Sequence, residues 1–245
     1  MNITTTQFKR VIDTAKRFVW SDKNQDRATL NCIRFDVISA TQLDIVGIDG
    51  TFMNKFTIHT DTENLESCNI PPLIVKEILN DIKGTKELSV SVKNDTLTIN
   101  DNTYTINADI FPDYKKAVID VKELPNELVM DRKELLAILK NNKNNVSKRT
   151  QLGILEYYGN ELELTFADRI NDIKNIVKLP SDYYNGIVYR IGFNVKFLTL
   201  ILSKLKSKEI KINFGTDKTS QFQIRGTDTK DNDIMFLLMP LRIVD

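Results

Sequence analysis

The sequence predicts an α+β protein of two similar units, each with two helices laid on antiparallel sheet. Its 245 residues suffice for one large domain or two ordinary ones, and a hydrophobic share of 41% is adequate for packed cores. Compared with itself, the sequence repeats one plan at an offset of about 120 residues, which means two copies of a supersecondary unit and not a long solenoid. Inside each copy, stretches of helical period alternate with stretches of period two, in the order helix, strands, helix, strands.

In the first copy Phe8, Val11, Ile12, Ala15 and Val19 fall at helical spacing along one side, with Lys9, Arg10, Asp13, Lys16 and Arg17 on the other. Thr5 or Thr6 is the expected N-cap. Residues 29–35 and 42–48 alternate apolar and polar side chains as half-buried strands do, and Asp49-Gly50 marks a turn after them. Pro71-Pro72 precede a second helix over 73–83, since proline suits a first turn and Gly84 ends it. Strands at 88–92, 96–99 and 104–106 close the copy.

The second copy opens at Asp131, the expected N-cap of a helix over 132–140. Strands at 152–157 and 161–166 follow, joined through Gly159-Asn160. A helix over 195–206 and strands at 209–214, 221–224 and 234–239 finish the chain. Residues 120–126 read as the linker, which divides the sequence into 1–119 and 120–245.

With 34 basic and 33 acidic residues the formal charge is +1, so this is no polycation that coats nucleic acid indiscriminately. Any attraction to DNA must come from sorting charges onto faces. Cys32 and Cys68 are too few for a disulfide framework and have no metal-ligand spacing, so they read as reduced, buried fillers. No window approaches the roughly 18 apolar residues of a membrane span, and the opening Met1–Thr6 lacks a secretion pattern. A cytoplasmic location with no membrane partner is expected.

On the first helix Lys9 and Lys16, and likewise Arg10 and Arg17, stack along one stripe. The other helical segments carry Lys76 and Lys83, then Arg132, Lys133, Lys140 and Lys143, then Lys196, Lys204, Lys206 and Lys208. One charged helix face is ordinary solvation. Agreement among all the helices points further, although Asp13, Glu77, Asp81 and Glu134 interrupt the stripes.

Three segments are more specific. They are Phe111–Val118, Ile191–Leu198 and Leu238–Ile243, in that order. They resemble the bacterial DNA polymerase III beta sliding clamps, matching that family's middle and last domains over nearly the whole chain. The family's first domain has no counterpart here. The resemblance implies DNA-clamp-type domains forming a ring around duplex DNA, with Lys9, Arg10, Lys16, Arg17, Lys76, Lys83, Arg132, Lys133, Lys140, Lys196, Lys204 and Lys206 facing the DNA. Contacts confined to phosphates carry no sequence preference, so such a ring slides and is held by its closure.

The resemblance further implies a groove that takes a short peptide of polymerase or clamp loader. Its members here are Leu30, Cys32, Ile48, Thr51 and Met53, then Pro112, Lys116 and Ala117, then Asn194, Phe197, Gln221, Leu237, Met239, Pro240, Leu241 and Arg242. An apolar wall containing methionine suits bulky peptide anchors. Thr51 and Phe52 stand where the family has histidine and arginine, and Val244-Asp245 extend the usual tail. Two domains per chain imply a head-to-tail homotrimer to complete a six-domain ring.

No cofactor, metal site or enzymatic activity is expected. The only histidine, His59, has no nucleophile pattern around it, and no phosphate loop, nucleophile elbow or zinc-protease motif occurs. Asp168, Asp172, Asp228, Asp231 and Asp233 lack an ordered spacing and read as loop acidity, against the alternative of a magnesium nuclease. The main alternative is a clamp-like adaptor that recruits or sequesters replication proteins without sliding.

Overall fold

The structure is a computed structural model, and it describes residues 1–19, 28–106, 110–158, 160–168, 170–187, 189–216 and 220–243. Gly159 of the expected hairpin turn and the tail residues Val244-Asp245 lie outside the described residues. The chain separates into two compact units, Met1–Lys115 and Lys116–Asp245.

The first unit runs β1 (Asn2–Thr4), α1 (Thr5–Ala15), β2 (Ile33–Ser39), β3 (Gln42–Ile48), β4 (Phe52–His59), β5 (Cys68–Ile70), α2 (Pro72–Asp81), β6 (Glu87–Lys93), β7 (Thr96–Ile99) and β8 (Asn102–Thr105). The strands form two antiparallel sheets, ordered β4-β3-β2-β5 and β1-β6-β7-β8. Thr4 caps α1, its hydroxyl accepting from the Gln7 amide at 3.2 Å. The helix buries Phe8, Val11, Ile12 and Ala15, and touches β1 of one sheet and β3 and β4 of the other. Burial of Phe8, Val11 and Ile12 stabilises the fold by about 1.5–3 kcal/mol each. Helix and β3 approach so closely that a Cβ on Gly47 would lie 2.4 Å from the Ala15 carbonyl oxygen, which only glycine permits.

The second unit runs β9 (Asn126–Asp131), α3 (Arg132–Asn142), β10 (Leu152–Tyr158), β11 (Glu161–Asp168), β12 (Ile173–Leu179), β13 (Tyr184–Asn185), β14 (Tyr189–Asn194), α4 (Val195–Lys204), β15 (Glu209–Phe214), β16 (Phe222–Gly226) and β17 (Ile234–Leu238). Its sheets are ordered β12-β11-β10-β14 and β13-β9-β15-β16-β17. Apart from the short β13, these repeat the first unit strand for strand. The correspondence reaches single residues. The cap Thr4 lies opposite Glu87, and the cap Asp131 lies opposite Glu209. The next amide donates across the same strand pair in both units, Thr5 to the Lys86 carbonyl at 3.0 Å and Arg132 to that of Lys208 at 2.8 Å.

Several boundaries depart from the sequence reading. Residues Ala28–Asn31 wind a 3-10 turn, so the strand expected over 29–35 begins at Ile33. Helix α1 stops at Ala15, leaving Val19 beyond it, and Phe18 takes the buried position, packing edge-on against Phe52 at 5.1 Å. Thr4, not Thr5 or Thr6, is the cap, because Thr4 keeps extended backbone while Thr5 is already helical. Helix α4 ends at Lys204, where Leu205 turns extended. Strands β1, β4, β5, β9, β12, β13 and β14 were not expected as such, and β9 starts at the end of the supposed linker.

Candidate functional site

The tail and the second clamp-like motif meet inside the second unit. Gly192, on β14, forms an isolated antiparallel bridge with Leu241, whose amide donates to the Gly192 carbonyl at 2.9 Å. A Cβ on Gly192 would lie 2.5 Å from the Leu241 carbonyl oxygen, so glycine is what lets the tail lie against the strand. Two residues on, Asn194 caps α4 by accepting from the Phe197 amide at 3.0 Å. Phe197 and Leu241 are half-buried, Pro240 is likewise, and Arg242 is exposed. Met239 is 42% exposed. By contrast Leu237 and Gln221 are buried, Leu237 lying opposite Gln223 in the β16–β17 ladder.

In the first unit, Ile48 and Met53 are cross-strand partners in the β3–β4 ladder. Met53 and Cys32 are buried, while Leu30 and Ile48 are half-buried. Burial pushes the Cys68 thiol up to about 12, and neither cysteine forms a disulfide. Thr51 is exposed and bound into its own turn, its amide and hydroxyl both donating to Asp49 Oδ1 at 2.8 Å. Pro112 of the first unit is exposed, as are Lys116 and Ala117 at the start of the second.

Sequence reasoning passed over the residues that hold this connecting segment. Tyr114 is buried and donates its hydroxyl to Asp36 Oδ2 at 2.9 Å and toward Asp44 Oδ2 at 3.4 Å. Lys115 pairs with Asp36 at 3.0 Å, and Lys55 pairs with Asp44 at 3.3 Å. Burial alone would raise the Asp36 carboxyl, but hydrogen bonds from Lys115 and Tyr114 and the charges of Lys115 and Arg34 hold it below its ordinary value. Burial and the two carboxylates drive the Tyr114 hydroxyl upward, so it stays protonated and donating. Within Phe111–Val118, the polar tyrosine beside a lysine was the signal for this clasp.

The cations divide by environment. Lys76, Lys133, Lys140 and Lys196 are exposed along helices, while Arg17, Lys83 and Lys206 are exposed beyond helix ends. Lys9, Lys16 and Lys204 are half-buried. Arg10 is half-buried too, its guanidinium 5.6 Å from the centre of the Phe56 ring. Arg132 has an internal role: Nε donates to the Ser207 carbonyl at 2.8 Å and a terminal nitrogen to that of Leu202 at 3.2 Å. Those bonds tie the start of α3 to the end of α4.

The loop aspartates are engaged in turns. Asp231 is 1% exposed and accepts the Lys206 and Ser207 amides, both at 2.6 Å. Asp228 accepts the Ser207 hydroxyl at 2.9 Å, and Asp168 accepts the Asn171 side-chain amide at 2.8 Å. Among the described residues no group of three or more His, Cys, Asp or Glu side chains is placed to hold a metal ion, and no helix is long and apolar enough to cross a membrane.

No family model matches the sequence, and no curated protein matches it. Solved structures do match the fold. The DNA polymerase III beta subunit of Thermotoga maritima is similar with a TM-score of 0.86 at 21% identity, covering 100% of this chain and 65% of that one. The sliding clamp of Pseudomonas aeruginosa gives 0.85 at 18% identity, covering 99% and 66%. The beta subunit of Borrelia burgdorferi, solved with a natural product, gives 0.86 at 17% identity, covering 100% and 63%.

This is the DNA polymerase III beta clamp fold.

The clamp resemblance read from three short segments is therefore present in the architecture of the whole chain. The α+β class and antiparallel sheets also agree with the sequence reading. The chain spans just under two thirds of the length of those clamps, so part of each has no counterpart among these residues.

Proposed function

We propose that this protein is a DNA sliding clamp that encircles duplex DNA and tethers a polymerase and other replication proteins. The observation that carries the reading is that both units have one strand-for-strand topology and together match solved clamps over 99% or more of the chain. Exposed Lys76, Lys133, Lys140 and Lys196 supply the phosphate-directed, sequence-independent attraction that sliding needs. Half-exposed Met239 and the anchored Leu241 supply an apolar contact for a partner peptide. Three head-to-tail copies of these two units would complete a closed six-domain ring.

Retention on circular DNA is the test. Protein loaded onto a nicked circular duplex stays bound through a salt wash and is released when the circle is cut. Equal release from circle and linear DNA removes the sliding reading. The second reading is a clamp-like adaptor that does not slide. It predicts binding to a polymerase peptide with no retention on circles and a monomer or dimer by sedimentation.

A further inference from the structure

Of the chain's five methionines, Met53, Met130 and Met235 are between 2% and 3% exposed, Met1 is half-buried, and Met239 is 42% exposed. The three buried ones are also held in place. Met53 lies opposite Ile48 in the β3–β4 ladder and Met130 opposite Ile210 in the β9–β15 ladder, while the Met235 sulfur accepts from an Arg225 terminal nitrogen at 3.0 Å. Met239 is open and yet fixed. Leu238 before it pairs with Phe222 at the end of β17, and Leu241 after it is bridged to Gly192, so ordered backbone presents the side chain from both directions.

Its neighbours along the chain are apolar. Leu237 and Leu238 are buried, and Pro240 and Leu241 are half-buried. A flexible, polarisable thioether at such a place adapts to the apolar anchor of a partner. A sulfoxide there does the opposite, because oxidation makes the side chain polar and its oxygen loses water on contact without gaining a hydrogen bond. Exposure governs which methionine is reached first, so the fold directs the oxidant to the one methionine that the peptide contact uses.

We propose that Met239 is a reversible oxidation site through which peroxide weakens the hold on a partner peptide. A lone pair on Sδ forms an S–O bond with one peroxide oxygen as the O–O bond breaks, and the displaced hydroxide takes the proton left on the transferred oxygen and leaves as water. Sulfur is oxidised by two electrons and the peroxide is reduced. A thiol-dependent methionine sulfoxide reductase reverses the step. The effect on peptide rests on the clamp reading; the selective oxidation of Met239 does not.

Dilute hydrogen peroxide added to the folded whole chain, followed by mass mapping of its fragments and by calorimetric titration with a polymerase-derived peptide, tests it. An added oxygen is expected at Met239 well before Met53, Met130 or Met235, with peptide affinity falling about tenfold, the scale of one unpaired polar group in an apolar contact. Sulfoxide reductase restores the affinity, and Met239→Leu abolishes the response to peroxide. Oxygen uptake at Met239 no faster than at the three buried methionines overturns the site. A fully oxidised Met239 that binds peptide as tightly as the reduced protein overturns the regulation, and so does an equal loss of affinity in Met239→Leu. Peptide that fails to bind the reduced protein, with uptake at Met239 still selective, removes the peptide reading and the regulation built on it, and leaves the oxidation site standing.

Discussion

The Leu241 amide donates to the Gly192 carbonyl at 2.9 Å, tying the tail to the strand that feeds α4. Two motifs far apart in sequence thus form one surface element, with the Asn194 cap and Phe197 immediately beyond it. The position tolerates nothing larger than glycine, since Leu152 Cδ1 and Ile243 Cγ1 also crowd the missing Cβ, at 2.8 and 3.2 Å.

Gly192→Val is therefore expected to push the tail away. The cost is about 1–3 kcal/mol of overpacking, and hydrogen exchange at the Leu241 amide accelerates accordingly. Unchanged protection at Leu241 would show that the bridge does not hold the tail.

Met239 and Leu241 replaced together by alanine should weaken binding of a polymerase-derived peptide by tenfold or more, with a stability loss smaller than a core truncation because Met239 is 42% exposed and Leu241 only half-buried. Calorimetric titration reads the affinity. A wild-type value takes the tail out of the peptide surface.

Arg132 and its neighbours separate structure from DNA contact. Arg132→Ala loses bonds to two carbonyls and is expected to cost about 1–3 kcal/mol in thermal unfolding. Lys133→Glu with Lys140→Glu, both exposed, should instead leave the melting temperature nearly unchanged and weaken DNA association most at low salt. DNA association that is equally weak in both variants would refute this division.

Asp231→Ala strips the carboxylate that accepts two backbone amides and should destabilise by about 3 kcal/mol. Denaturant unfolding measures it. A magnesium-dependent DNA cleavage that vanishes in this variant, with stability unchanged, would restore the nuclease alternative.

The clasp on Tyr114 brings a pH dependence. The Asp36 carboxyl is held below its ordinary value of 3.8, so the unfolded chain binds this proton more readily than the folded one. The stabilisation is complete above that value and is lost as the pH falls through it toward the lower folded value. Asp36→Asn should thus melt below wild type at neutral pH, and the gap should close under acid conditions. A constant gap into the acid would mean that Asp36 acts through shape and not charge.

Much of this architecture was legible because patterns and punctuation agreed. Asp131 before a helical run, Pro72 opening α2, and strict alternation in β6 and β15 each placed an element. What escaped had weak patterns for physical reasons. β12 lies at a sheet edge and is exposed along most of its length, so it needs no period-two hydrophobicity. β1 has three residues, too few for any period. Among the site residues, the Leu238–Ile243 and Ile191–Leu198 motifs were readable through their resemblance to the clamp family. Of the Tyr114–Asp36–Asp44 clasp only the tyrosine beside a lysine gave a signal, since its carboxylate partners come from separate stretches that only the folded sheet brings together. Arg132 was read as a surface cation because helical spacing does not reveal that its guanidinium turns toward the end of α4.

The two cysteines of the sequence both lie in the first unit and are buried, and the second unit has none. A thiol-specific dye added to the native protein therefore reacts only when the first unit breathes. Its rate gives the opening free energy of that half by itself, with no engineered label, so lesions in one half can be told from lesions in the other.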